Sequence, residues 1–141
     1  MYILDTDLFS LTDRTASMES HRLRFRLSNI PKDDLATTII TFEEQTRGWL
    51  AWIAKSKTLA QEIERYRDLK KMIESYRNVK ILDFDEIAAS HFAMLRKEHR
   101  RIGTMDLKIA AIVIAHNATL LSRNLKDFGK IPTLQVEDWA A

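Results

Sequence analysis

The stretch TMDLKIAAIVIAHNATLLSRNLKD, residues 104–127, decides the fold. Leu107, Ala110, Ala111 and Ile114 recur at helical spacing, whereas Thr119, Leu120 and Leu121 form a run too short for a helix. A helix therefore feeds a strand, and a polar turn containing Asn124 and Asp127 follows. Working outward, four more short runs of the strand type lie at 2–4, 36–40, 79–84 and 134–136. Between them, Phe42, Trp49, Leu50 and Ile53 keep helical spacing, as do Ile87, Phe92 and Leu95 across 87–101, where Gly103 stops the pattern. Strands alternating with helices imply βαβ crossovers and a mainly parallel sheet covered on both faces. The expected fold is a three-layer α/β sandwich with a short central sheet flanked by helices.

At 141 residues with 45% apolar composition, the chain accommodates one domain over 1–141 and is too short for a TIM barrel or a two-domain enzyme. It contains no cysteine, which excludes disulfides, thiolate metal sites and a cysteine nucleophile. With 22 Lys plus Arg against 20 Asp plus Glu, the net charge of +2 is too mild to mark a nucleic-acid binder, so local clustering must decide. Asp5 and Asp7 interrupt the apolar N-terminus, and no window approaches 18 apolar residues, so a cytoplasmic protein without a membrane segment is expected. Residues 55–77 are long and mixed in charge, the pattern of a solvated helix. Trp49 and Trp52 lie three apart, as core or interface residues do.

In open α/β sheets, sites form beyond the carboxyl ends of strands, so acids that directly follow apolar runs carry the most weight. Asp5 stands where the first strand leaves the core; there it is solvated, paired or cation-bound, or else caps a helix. Thr41 and Glu44 have capping-box spacing, which competes with a site role for Glu44, while Glu43 points elsewhere. Thr104 is the expected cap of the next helix, placing Asp106 in a first turn where an acid also suits the helix dipole. Asn124 and Asp127 occupy a turn that is equally ordinary loop chemistry. Should these acids converge, they repel one another unless a hard divalent cation neutralises them, and oxygen-only ligands favour Mg²⁺ or Mn²⁺ over zinc.

Four segments carry a resemblance: MYILDTD at 1–7, ITFEE at 40–44 with Gly48, IGTMDLKIAA at 102–111, and LLSRNLKDF at 120–128. In this order, and with the closing Val136-Glu137-Asp138-Trp139, the chain resembles the PIN domain over its whole length, and specifically the VapC ribonuclease toxins of toxin-antitoxin pairs. The resemblance implies a PIN-like fold and an Mg²⁺-dependent endoribonuclease, with Mn²⁺ as a substitute, that hydrolyses RNA phosphodiester bonds to 5′ phosphate and 3′ hydroxyl ends. It implies Asp5, Glu44 and Asp106 as metal-holding catalytic acids and Ser122 as their polar neighbour. The fourth position departs from the family pattern: Asn124 stands where many members carry aspartate, and Asp127 is the other candidate for catalysis and metal binding there. Implied partners are RNA, with transfer RNA among the candidates, a VapB-like inhibitory antitoxin docking between helices, and a second copy of the chain. Leu8, Phe9, Leu11, Trp49 and Trp52 are candidates to line those protein interfaces.

RNA binding needs positive charge beside the acids. Arg96, Lys97, Arg100 and Arg101 fall within six consecutive positions leading toward Asp106, and Lys108 and Arg123 lie close to the acids in sequence. Cations at a solvated helix end are the competing reading. His21, His91, His99 and His116 lack metal-ligand partners at helical spacing and read as surface or packing residues. Two rival functions remain: a haloacid-dehalogenase-like phosphatase using Asp5 and Asp7 as nucleophile and general acid, and a non-catalytic PIN-like binding module, for which Asn124 is the sequence support.

Overall fold

The computed structural model describes residues 1–14 and 16–141. Its elements follow in the order β1 (Tyr2–Leu4), α1 (Thr6–Leu11), α2 (Met18–Leu27), β2 (Leu35–Thr38), α3 (Ile39–Ala54), α4 (Leu59–Ser75), β3 (Lys80–Leu82), α5 (Glu86–Glu98), α6 (Thr104–Ala115), β4 (Thr119–Leu121), α7 (Leu125–Phe128) and β5 (Gln135–Glu137). The five strands form one sheet in the order β3-β2-β1-β4-β5, and every neighbouring pair is parallel. The sandwich expected from the alternation of runs is therefore present, with a fully parallel sheet.

Alternation along each short strand builds the three layers. Ile3 and Leu120 face one side, where Leu107, Ile109, Ile112 and Val113 of α6 join Leu95 of α5 and Phe128. Leu4 and Leu121 face the other, against Leu8, Phe9 and Leu11 of α1, Leu23 of α2, Met72 and Trp139. The apolar residues of α6 are buried around most of the helix, as a central helix in a small core requires.

Several element ends differ from expectation, each for a local reason. The run 36–40 is not one strand: the ladder ends where Thr38 pairs with Leu82, and Ile39 and Ile40 already belong to α3, which places Ile40 in the core. Thr38 caps α3, accepting the N–H of Thr41 at 3.2 Å, so the expected Thr41–Glu44 capping box does not form. Gly103, not Thr104, precedes α6, and Thr104 is its first residue. Helix α5 ends at Glu98, leaving Arg100 and Arg101 in the turn to α6. The mixed-charge segment forms α4, which buries Met72 yet exposes an apolar row of Leu59, Ile63 and Tyr66.

Candidate active site

The strand order places β2 and β3 on one side of β1 and β4 and β5 on the other, so the topological switch falls between β1 and β4. That crevice is where parallel α/β sheets hold ligands. Asp5 leaves β1 there, its N–H donating to Leu121 O of β4 at 3.1 Å, and the buried Ser122 leaves β4 beside it. Asp5 is also the N-cap of α1, its Oδ1 accepting the Leu8 N–H at 2.8 Å. Cap and site readings of this residue are therefore compatible, because one oxygen is committed to the helix and the other is not. Burial pushes the Asp5 carboxyl up to about 6; the Ser122 hydroxyl and the Leu8 N–H oppose that rise, and the charges of Asp7 and Asp106 add to it.

Glu44 is placed by α3 and oriented by α1. Thr6 Oγ1 donates to Glu44 Oε1 at 2.6 Å and lies 3.1 Å from the hydroxyl of the buried Thr41. Glu43, one position round the helix, pairs instead with Arg47 at 2.6 Å. Asp106, in the first turn of α6, is half-buried, and its carboxyl is raised by burial first and then by the charges of Glu44 and Asp127. Asp127 is set by Asn124, which caps α7: Asn124 Oδ1 accepts the Asp127 N–H at 3.3 Å, and its Nδ2 donates to Asp127 Oδ2 at 3.2 Å.

Asp106 is thus the hub of an acidic rim, acting electrostatically on Asp5 and acted on by Glu44 and Asp127. Among the described residues, no three acid or histidine side chains stand close enough to hold one ion as they are placed. Glu44 and Asp127 are each turned onto a neutral donor, Thr6 and Asn124, which relieves repulsion among like charges. The donor chemistry nonetheless fits a hard divalent cation: four carboxylates, two of them with proton affinity raised by burial and by neighbouring carboxylates.

The candidate substrate residues divide. Arg100 and Arg101 line a hollow of about 350 Å³ with Lys97, His99 and Lys130. Glu98 is the one acid there, and it reaches His99 at 3.9 Å. Lys108 lies two residues from Asp106 on α6, about 200° round the helix, and its Nζ sits 5.8 and 5.7 Å from the ring centres of Phe84 and Phe92. Arg123 is held by carboxylates: Nε and Nη2 donate to the two oxygens of Asp7 at 2.6 Å each, and Nη1 donates to Glu19. Lys108 and Arg123 are thus each engaged within the protein, the one near aromatic rings and the other with carboxylates.

That ion pair also bears on the phosphatase reading, since an Asp7 engaged at both oxygens is not a free general acid. Leu8, Phe9 and Leu11 are buried in the core, which corrects the expectation that they form an interface. A groove of about 460 Å³ does open beside Glu44, lined by Thr6, Ser10, Gln45, Gly48, Trp49 and Trp52. Thr6, Asn124 as a holder of Asp127, and the Asp7–Arg123–Glu19 cluster are the site features that sequence reasoning missed. The threonine directly after Asp5 is the one local signal available for them.

Fold and rim define a class: small parallel α/β domains with carboxylates gathered at the sheet's switch point. The PIN domain family model matches residues 2–134. The Ribonuclease VapC1 of Haemophilus influenzae strain R2866 is 30% identical over 144 residues, covering 99% of this chain and 98% of that protein. The tRNA(fMet)-specific endonuclease VapC of Salmonella typhimurium is 29% identical, covering 98% and 97%. Among solved structures, VapBC-1 from nontypeable Haemophilus influenzae superposes with a TM-score of 0.72 at 28% identity, covering 99% of this chain and 98% of that one. The chain belongs to the PIN-domain family, within its VapC group.

Proposed function

We propose that this protein is a divalent-cation-dependent endoribonuclease, the toxin of a VapBC-type pair, with Asp5, Glu44, Asp106 and Asp127 as its catalytic acids. The observation that carries the reading is the chain of like charges in which Glu44 of α3 and Asp127 of α7 act on Asp106 and Asp106 acts on Asp5, the N-cap of α1, at the crevice where the strand order reverses. Mg²⁺, or Mn²⁺ in its place, is the cation suited to this oxygen-only donor set. When bound, such an ion acidifies an attacking water and offsets the charge that develops on a phosphodiester. The chain's own residues do the rest. Thr6 orients Glu44, Asn124 orients Asp127, and the Ser122 hydroxyl helps to keep Asp5 ionised.

The hollow at the α5–α6 turn supports RNA as the substrate class. Lys97, Arg100, Arg101 and Lys130 bring four cations together there against the single acid Glu98, and such a concentration of like charge favours polyanions. Single-stranded or looped RNA exposes the backbone that a recessed acidic rim must reach, and transfer RNA, on which the Salmonella relative acts, is the first candidate. The apolar groove beside Glu44, with Trp49 and Trp52 on its wall, is suited to a segment of a VapB-like antitoxin, and the exposed row on α4 to a second copy of this chain.

The test is RNA cleavage by purified protein in Mg²⁺ or Mn²⁺, with growth arrest on induction as its cellular counterpart. Asp5→Asn and Asp106→Asn are each expected to abolish both while the protein remains folded by circular dichroism. Cleavage at the wild-type rate by both variants would reject the assignment. Absence of Mn²⁺ binding by the wild type in isothermal titration would favour the non-catalytic binding module instead.

A further inference from the structure

We infer that Arg123 is a positioning residue, tying the loop that carries Ser122, Asn124 and Asp127 to α1 and α2 and thereby setting the separation between the two ends of the acidic rim. The inference rests on the metal-nuclease reading of that rim and adds a part to it. One guanidinium uses three nitrogens to join segments 116 and 104 residues away: Nε and Nη2 donate to Asp7 at 2.6 Å each, and Nη1 donates to Glu19.

The placement of the partners gives the tie its meaning. Asp7 lies in the first turn of α1, two residues beyond Asp5, which caps that helix. Arg123 lies between Ser122, whose N–H donates to Glu137 O of β5 at 3.0 Å, and Asn124, which holds Asp127. Helix α7 has only four residues, so little within it resists displacement of Asp127. A fork that grips α1 and α2 supplies that resistance, and its two parallel bonds to one carboxylate fix direction as well as distance.

Arg123 and its partners are partly exposed, with side-chain accessibilities of 32%, 49% and 47%, and ion pairs at that exposure contribute little to global stability. The fork's main effect is therefore on geometry, and it should be read in metal affinity more than in melting temperature.

The experiment is isothermal titration of Mn²⁺ into RNA-free protein for the wild type, Arg123→Gln, Arg123→Lys, Asp7→Asn and the double variant Asp7→Asn/Arg123→Gln. Hydrogen exchange of the 122–128 amides is measured on the same proteins. Arg123→Gln is expected to weaken Mn²⁺ binding roughly 10-fold or more, as loss of a residue that orients ligands does. Arg123→Lys, which keeps the charge and loses the fork, should restore only part of it. The double variant should be no worse than Arg123→Gln, because both changes cut one tie. Faster exchange at 122–128 should accompany the loss.

Mn²⁺ affinity within twofold of wild type in Arg123→Gln, with unchanged exchange, would overturn the proposal. If Arg123→Gln in an Asp106→Asn background instead weakens RNA binding and flattens its salt dependence while Mn²⁺ affinity holds, Arg123 is a phosphate contact and the tie is rejected. A wild type that takes up no Mn²⁺ sinks the metal reading, and the exchange comparison then decides the tie alone.

Discussion

The hydroxyl of Thr6 meets both Glu44 and Thr41, residues of a helix that begins 33 positions later in the chain. Its donation to Glu44 leaves that carboxylate one fixed direction, and valine would keep the β-branched shape while removing the donor. Thr6→Val is expected to lower RNA cleavage on the order of tenfold, as the loss of a ligand-orienting partner does, with a stability change of about 1 kcal/mol. Parallel cleavage assays and thermal melts check it; a large loss of stability with unaltered cleavage per folded molecule would contradict the orienting role. The sequence showed Asp5 at a strand exit but not this contact, because its partner is distant and local patterns do not report such pairs. Thr41 and Glu44 show the converse error. Their i, i+3 spacing matches a capping box, yet the same spacing recurs throughout a helix interior, and Thr38 had already capped α3. Glu44 is consequently free of the backbone and able to face Asp106.

At the scale of the element, α7 bears on a question that residue types alone left open. Asn124 and Asp127 compete in the sequence for the fourth acidic position, since one stands at the expected place and the other carries the charge. The structure makes them a pair in which the amide caps the helix and aims the carboxylate, whose charge reaches Asp106. Asp127→Ala is accordingly expected to abolish cleavage. Asn124→Ala should reduce it by about 10- to 100-fold, through a lost cap and an unheld Asp127. Mn²⁺ titration and cleavage assays on both variants check the order of severity; an active Asp127→Ala beside an inactive Asn124→Ala would make the amide the ligand. Elements were legible where period and length agree, as in the strand at 119–121 and the apolar helix before it. Boundaries were not legible where an apolar run continues across a turn, as Ile39 and Ile40 do beyond Thr38. That run merges because both β2 and the start of α3 face the core, and only the end of the ladder separates them.

Across the whole molecule, the alternation of strands and helices was legible in the residue pattern, while the order β3-β2-β1-β4-β5 was not, and the gathering of distant acids was implied only by the family resemblance, because both depend on contacts that no local pattern encodes. The gathering has a measurable cost. Burial holds the folded Asp5 carboxyl at about 6 against 3.8 when exposed, so the folded protein binds a proton there more tightly than the unfolded chain does. For an acid shifted upward, the destabilisation is absent below the unfolded value, grows as pH rises between about 4 and 6, and is complete above that. A shift of this size corresponds to about 3 kcal/mol, and Asp106 is moved in the same direction by burial and its neighbours. The cation-free protein is therefore expected to melt at progressively lower temperature from pH 5 to pH 7 and to level off beyond. Asparagine at position 5 keeps an N-cap side chain for α1 but carries no charge, so Asp5→Asn should flatten the profile and raise the neutral-pH melting temperature even as it removes activity. Saturating Mn²⁺ should flatten the wild-type profile as well, since a cation replaces the proton as the partner of the buried charge. Melting curves in EDTA and in Mn²⁺ across this range check all three expectations. A wild-type profile that rises from pH 5 to pH 7 in EDTA would show that Asp5 ionises freely, and the electrostatic strain assigned to the rim would then be absent.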